Sequence, residues 1–231
     1  QLNKHVYVEK PLTHDIYEAR ILTQAAHRYK VVTQMGNQGS SGDDTRKVET
    51  WIQDGVIGDV KTVHVWTNRP TWPQGIAKPE GKFAIPKEVD WDLWLGTAPH
   101  RDFNPTYLPA IWRGWVDFGT GSLGDMGCHF IDVPFRALKL GYPTAVECSL
   151  TRTYTGFFQE VFYNDSYPLS SKIHIQFPAR GSMPACEMVW YDGGLTPKRP
   201  EELLTDEMLG EWDGGILFEG TKGKLMAGLF G

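Results

Sequence analysis

The sequence predicts an α/β unit followed by an α+β domain, whose open, mainly antiparallel sheet is flanked by helices. Three observations carry that expectation. Residues 5–36 read strand, helix, strand within about 30 residues, which is the length of a parallel βαβ unit. That pattern stops after residue 67, where 68–90 turn rich in Pro and Gly. From residue 145 onward, short strand-like runs follow one another with few helical patterns between them, as in an antiparallel sheet.

His5-Val6-Tyr7-Val8 is β-branched and aromatic, and Glu9-Lys10-Pro11 ends it, because proline cannot continue a central strand. Lys10 therefore sits at a strand's carboxyl end, where open α/β sheets place ligands. Read blandly, it is a loop lysine. Thr13 is the expected N-cap of the next helix, with Asp15 in its first turn. Ile16, Ala19, Leu22, Ala25 and Ala26 recur at helical spacing up to Lys30. Val31 to Gly36 is the second strand, and the polar loop Asn37-Gln38-Gly39-Ser40-Ser41-Gly42 again falls on the ligand side.

A second helix is expected from about Asp43 to Asp54, closed by Gly55 and Gly58. Lys61 to Thr67 alternates, with Val63 and Val65 on one face and His64 and Trp66 on the other, which predicts a half-buried antiparallel strand. There His64 is a sheet histidine rather than a ligand. The long loop 68–90 has a length usually tied to function. Asp90 to Gly96 reads as one turn of helix. Another helix is expected from about Ser122 to Leu140, ended by Gly141 and Pro143. Strands are expected at 145–153, 172–177, 185–191 and 215–219, then a turn at 220–224 and a further strand from Lys224 to Ala227. Such a sheet needs its open face covered by helices or by a partner subunit.

The stretch most loaded with chemistry is 112–132, WRGWVDFGTGSLGDMGCHFID. Asp125 and His129 are four apart and share a helix face. A carboxylate beside an imidazole raises its pKa and fixes its tautomer, as a general base requires. A solvated surface pair has the same spacing, and so does half of a zinc site. No HExxH or paired-cysteine pattern supports metal, so none is assigned. Trp112 and Trp115 offer flat apolar faces for a hydroxylated small molecule. Gly119, Gly121 and Gly124 match the dinucleotide-binding spacing Gly-x-Gly-x-x-Gly, with Glu147 about twenty residues on. That motif needs a buried aliphatic strand before it, and residues 112–118 hold two charges and a glycine instead.

The bulk properties narrow the partners. The chain has 231 residues, 41% hydrophobic and 22% charged, with a net charge of −5 and no Lys/Arg cluster. Nucleic acid and anionic membranes are disfavoured, and no apolar run is long enough to span a bilayer. No signal peptide is recognisable. Cys128, Cys148 and Cys186 show no metal spacing and read as small buried hydrophobes. His129, adjacent to Cys128, points about 100° away on a helix and would activate the thiol poorly.

Three segments together resemble the glucose–fructose oxidoreductase / inositol dehydrogenase / rhizopine-catabolism (Gfo/Idh/MocA) family. They are Asn3-Lys4-His5-Val6-Tyr7-Val8-Glu9-Lys10-Pro11-Leu12, Gly55-Val-Ile-Gly58-Asp-Val60, and Gly121-Ser-Leu-Gly124-Asp125-Met126-Gly127-Cys128-His129. The resemblance runs over nearly the whole chain. It implies an oxidoreductase transferring a hydride between NAD or NADP and a sugar or polyol hydroxyl. His129 would be the base, supported by Asp125, and Lys10 would orient substrate and nicotinamide ribose. Glu9 and Pro11, the latter after a cis bond, would shape the cofactor side, with Asn37 and Gln38 nearby. Trp112, Arg113 and Trp115 would contact the substrate. The resemblance also implies a homo-oligomer formed through the open sheet face, and it places glycines 119–124 in the substrate domain.

On this reading, residues 1–42 are the C-terminal remnant of a Rossmann domain, 43–60 a connecting helix, and 61–231 a substrate and oligomerisation domain lacking its last part. The family's phosphate-binding glycine motif precedes the Glu-Lys-Pro segment, so the chain by itself is expected to bind NAD poorly and to turn over little. Two alternatives remain open. One is a glycosidase that uses tightly held NAD for transient oxidation and elimination. The other is a catalytically incompetent oligomerisation and ligand-binding domain.

Overall fold

The computed structural model describes residues 2–229. Strands β1 (Val6–Glu9) and β2 (Thr33–Gly36) pair in parallel, Val6 opposite Thr33 and Glu9 opposite Gly36, with helix α1 (Ile16–Tyr29) as the crossover. The βαβ unit is as expected, but its cap is not. Asp15, extended at φ −141°, accepts from the Glu18 N–H (2.8 Å), and Glu18 in return accepts from the His14 N–H (2.7 Å). Asp15, not Thr13, starts the helix, because its carboxylate reaches the free N–H three residues on. Lys30 closes it in the left-handed region at φ 50°. No residue of α1 is buried, and β1 is exposed throughout. Val6, Val8, Leu22, Ala26 and Met35 line an open apolar groove of about 740 Å³.

The larger sheet has six strands: β3 (Val60–Thr67), β4 (Ala145–Leu150), β7 (Ser171–Phe177), β8 (Cys186–Tyr191), β9 (Gly214–Gly220) and β10 (Lys224–Ala227). They lie in the order β10-β9-β3-β8-β7-β4. Every pairing is antiparallel except β3 with β8. β3 was expected to be half-buried and antiparallel. It is instead a central strand with mixed neighbours, and Trp66 on its second face is buried with Val189, Tyr191 and Leu217 beneath Leu209. Gly215 makes room for that indole, since a Cβ there would lie 2.5 Å from the Trp66 ring.

The first face of the sheet carries the main core. Val63 and Val65 of β3, Met188 and Trp190 of β8, and Ile216 and Phe218 of β9 meet three helices. These are α2 (Asp43–Gln53), α4 (Gly121–Phe130) and α5 (Asp132–Ala137), which contribute Val48 and Ile52, Met126 and Phe130, and Val133 and Ala137 in turn. The single helix expected over 122–140 is thus two. Pro134 has no N–H to give to the Phe130 carbonyl, and Lys139, at φ 51°, ends the run before Leu140.

Helix α3 (Trp91–Leu95), capped by Asp90, anchors a separate aromatic cluster of Trp91, Phe103, Tyr107 and Trp115. The strand expected at 145–153 ends at Leu150, and β5 (Thr153–Gly156) with β6 (Gln159–Val161) forms a small hairpin that the alternation did not announce. Cys186 is buried as expected, but Cys148 is exposed on edge strand β4. Among the described residues, no helix is long and apolar enough to cross a membrane.

Candidate active site

Two elements far apart in the sequence meet at one cavity. Lys10 follows the last residue of β1, and its peptide bond to Pro11 is cis. Its Nζ reaches across to α4, donating to the Asp125 backbone carbonyl (3.0 Å) and to Asp125 Oδ1 (3.1 Å). Arg113, in the 3-10 turn Ile111–Gly114, donates to the same oxygen through Nε (2.9 Å) and lies over the Trp112 ring at 4.6 Å. These residues line a cavity of about 620 Å³, together with Pro11, His14, Glu18, Thr120, Gly121 and Tyr167.

The electrostatics differ from the simple pair expected. Burial alone would raise the Asp125 carboxyl, but the hydrogen bonds and charges of Arg113 and Lys10 outweigh it and hold it below the ordinary carboxylate range. Asp125 is therefore an anion that ties down two cations. His129 lies one turn later on the same helix and is 8% exposed, with Nδ1 buried and unpartnered among the described residues. Its pKa is lowered, first by burial and then by the charges of Lys10 and Arg69, against the opposing pull of Asp125 and Asp132. Asp125 does pull it up, as expected, but burial and the Lys10 and Arg69 charges win, and the carboxylate bonds to Lys10 and Arg113 rather than to the imidazole. Lys10, Asp125, Arg113 and Trp112 are gathered at the cavity. His129 stands behind its wall, close enough to feel the ammonium.

Four other expected residues fall differently. Trp115 was to face substrate, but it is 1% exposed, packed edge-on against Tyr107 at 5.7 Å, and does not border the cavity. Asn37 donates from Nδ2 to the Cys128 carbonyl (2.6 Å), tying the loop after β2 to the backbone beside His129, while its Oδ1 is buried without a partner. Gln38 and Glu9 are exposed. Ser40 reinforces the same junction through Asp132, as does Arg136, which donates to the Ser40 carbonyl (2.8 Å) and to Glu49 (3.1 Å). The Cys128 thiol is pushed up by burial, which disfavours the nucleophilic thiolate. Among the described residues, no cluster of three metal-ligating side chains exists.

His14 and Tyr167 were missed. His14 Nε2 donates to the Asp117 carbonyl (3.1 Å), and it stands four residues after Lys10 in the same ligand-side loop, a signal that was available. Tyr167, whose hydroxyl donates to the Gly119 carbonyl (3.0 Å), arrives from a loop with no local motif. Buried Arg101 pairs with Asp117 and lies over Phe118 at 4.9 Å, so the 115–119 turn is held from behind.

Gly119 is required by space. A Cβ there would lie 2.6 Å from both Cα and O of Arg113. Gly119→Ala is expected to destabilise the chain by about 1–3 kcal/mol through overpacking, read by urea denaturation, and to displace the Arg113 turn.

Residues 43–147 match the family profile described as the Gfo/Idh/MocA oxidoreductase family, C-terminal alpha/beta domain. Over those residues the chain is similar to that domain. Solved structures agree on the fold. An NAD-binding oxidoreductase from Klebsiella pneumoniae is 18% identical with a TM-score of 0.57, the match covering 98% of this chain and 48% of that one. An inositol dehydrogenase homologue from Azotobacter vinelandii, complexed with NADH and myo-inositol, is 16% identical with a TM-score of 0.54, covering 97% and 44%. A super-repressor mutant of Gal80p from Saccharomyces cerevisiae is 15% identical with a TM-score of 0.55, covering 96% and 47%. The chain thus spans about half the length of these relatives, and the likeness is one of fold. No curated protein sequence matches it. Glycines 119–124 follow a 3-10 turn rather than a strand, so their spacing is not a dinucleotide-binding motif.

Proposed function

We propose that this chain forms the substrate side of an NAD(P)-dependent oxidoreductase acting on a sugar or polyol hydroxyl. The observation that carries the reading is the contact of Lys10 with Asp125, 115 residues apart, within one cavity beside His129. Lys10 holds the substrate oxygen and stabilises charge developing on it. Asp125 fixes the Lys10 ammonium in place. His129, kept neutral by burial and by the nearby lysine, takes the hydroxyl proton. Trp112 and Arg113 form the substrate wall.

Lys10, Pro11 and Asn37 follow the carboxyl ends of the two parallel strands, the ligand side of such a sheet. The buried, unpartnered Asn37 Oδ1 fits a polar group of a bound nucleotide. These residues would hold NAD or NADP at its nicotinamide end, with Glu9 and Gln38 at the rim. The nicotinamide, when bound, supplies the hydride acceptor.

The domain division proposed is 1–42 for nucleotide binding, 43–60 as connector and 61–231 for substrate and assembly. The uncovered apolar face of α1 and β1 supports it, since a βαβ unit needs further layers to bury that face. The sheet face that carries His64, His174 and Lys172 is the proposed contact between copies.

The test is reduction of NAD or NADP by the intact natural protein across a panel of sugars and polyols. Lys10→Met is expected to lower kcat/KM by about 10²–10³-fold without loss of circular dichroism. Turnover that survives this substitution refutes the reading.

A further inference from the structure

The charges on the substrate wall do not balance locally. Two cations, Lys10 and Arg113, share the single carboxylate of Asp125. The other acid of the lining, Glu18, is turned to the start of α1, where it accepts from the His14 N–H (2.7 Å). Within the group Lys10, Asp125 and Arg113, two cations meet one carboxylate, and Glu18 balances the lining only from the start of α1.

Arg113 is also built to direct its charge. Its Nε is spent on Asp125 (2.9 Å), and one Nη1 proton on the Ala110 carbonyl (3.2 Å). Nη2 has no hydrogen-bond partner among the described residues. The Trp112 ring at 4.6 Å holds the guanidinium plane. Nη2 and the second Nη1 proton are left as donors at the Nη1/Nη2 edge, where a guanidinium can offer two N–H groups to the two oxygens of a carboxylate. The side chain is 29% exposed and lines the cavity, so this edge is reachable by a ligand yet partly shielded from bulk water. A neutral hydroxyl uses one of those donors and none of the charge.

Taking the cavity as the dehydrogenase substrate site proposed above, we propose that Arg113 is its specificity residue and that the substrate is a sugar acid, its carboxylate seated on the free guanidinium edge. Lys10 is then left for the reacting oxygen, and Arg113 and Lys10 hold the substrate at two points.

The intact protein, loaded with NAD or NADP, is assayed on matched pairs that differ in the acid group: glucuronate with glucose, and galacturonate with galactose. The corresponding sugar phosphates form a third arm. The acid is expected to exceed its neutral partner in kcat/KM by at least about tenfold, mainly through KM, and more so at low salt. In Arg113→Met that ratio collapses towards one. Arg113→Lys restores it only in part, because an ammonium lacks the fork, and this milder variant serves if the first fails to fold. Calorimetric titration of the nucleotide-loaded protein gives a readout independent of turnover. Binding of a uronate that depends on Arg113 but leads to no oxidation supports the carboxylate site and sinks the dehydrogenase reading. Equal use of neutral sugars, preference for the phosphates, absence of saturable binding by either acid, or a ratio unmoved in both variants overturns the proposal.

Discussion

His129→Ala is expected to cost the intact protein about 10²–10⁴-fold in kcat/KM, the usual worth of a positioned general base, while leaving its unfolding midpoint nearly unchanged. The two halves of that outcome have separate causes. Loss of the ring removes the buried imidazole one turn from Asp125 that feels the Lys10 charge. Stability survives because the Nδ1 of this imidazole is buried without a partner, so the substitution removes an unsatisfied polar group as well as packing atoms. The pH profile adds an independent check. Burial and the Lys10 charge lower the His129 pKa, so the base stays neutral to a pH below that of a free histidine. The acid limb of kcat/KM should therefore fall below about 6.5. Stability carries the same sign. As pH drops through the value for a free histidine, the unfolded chain binds a proton that the folded chain resists, so stability declines in the window between the unfolded and the lowered folded pKa. In His129→Ala that decline should shrink. Normal turnover by the variant would remove His129 from the mechanism.

Much of the architecture was legible because periodicity is a local property. The βαβ order, the strand at 60–67 and the strands from 171 to 227 follow from alternation and turn residues. Lys10 was legible as well, since a Glu-Lys-Pro ending on a strand puts the lysine on the ligand side. Pairing was not legible. Spacing places Asp125 and His129 on one helix face, but the partners of Asp125 are a lysine 115 residues away and an arginine in a preceding turn. Two full cations outbid a neutral imidazole for one carboxylate. Trp115 was misplaced for a related reason. An indole suits a sugar wall and an aromatic core equally, and only the arrival of Tyr107 beside it selects the core. The break between α4 and α5 could have been read, because Pro134 lies inside the proposed helix. The apolar periodicity continues across it and hid the missing N–H.

The largest effect on folding is expected at Trp190. It is fully buried in β8, between β3 and β7, and packs into the main core. Trp190→Ala should cost about 3–5 kcal/mol from lost transfer energy and the cavity left behind, against a total of about 5–15 kcal/mol for a typical domain. A second loss is hidden in the same residue. Trp190 Nε1 donates to Asp192 Oδ2 (2.9 Å), and among the described residues the buried Asp192 carboxylate otherwise receives only the N–H and hydroxyl of Ser171 (2.5 and 2.8 Å). Burial already pushes the Asp192 carboxyl up, and these three donors hold it back. Trp190→Phe isolates that part, since it keeps most of the ring and removes the donor. It should cost about 1–3 kcal/mol, the penalty for depriving a buried anion of a hydrogen bond. The sign of its pH dependence follows. With the donor gone, the folded pKa of Asp192 rises further above its unfolded value. The penalty is then smallest below the unfolded pKa, where the acid is protonated in both states, and grows as pH rises through the folded pKa. Urea denaturation of both variants at about pH 4 and pH 7 separates the effects: the alanine deficit persists at acid pH, and the phenylalanine deficit fades. An equal phenylalanine penalty at both values would mean that the indole N–H does not serve the Asp192 anion, and that packing alone accounts for the conformation of β8.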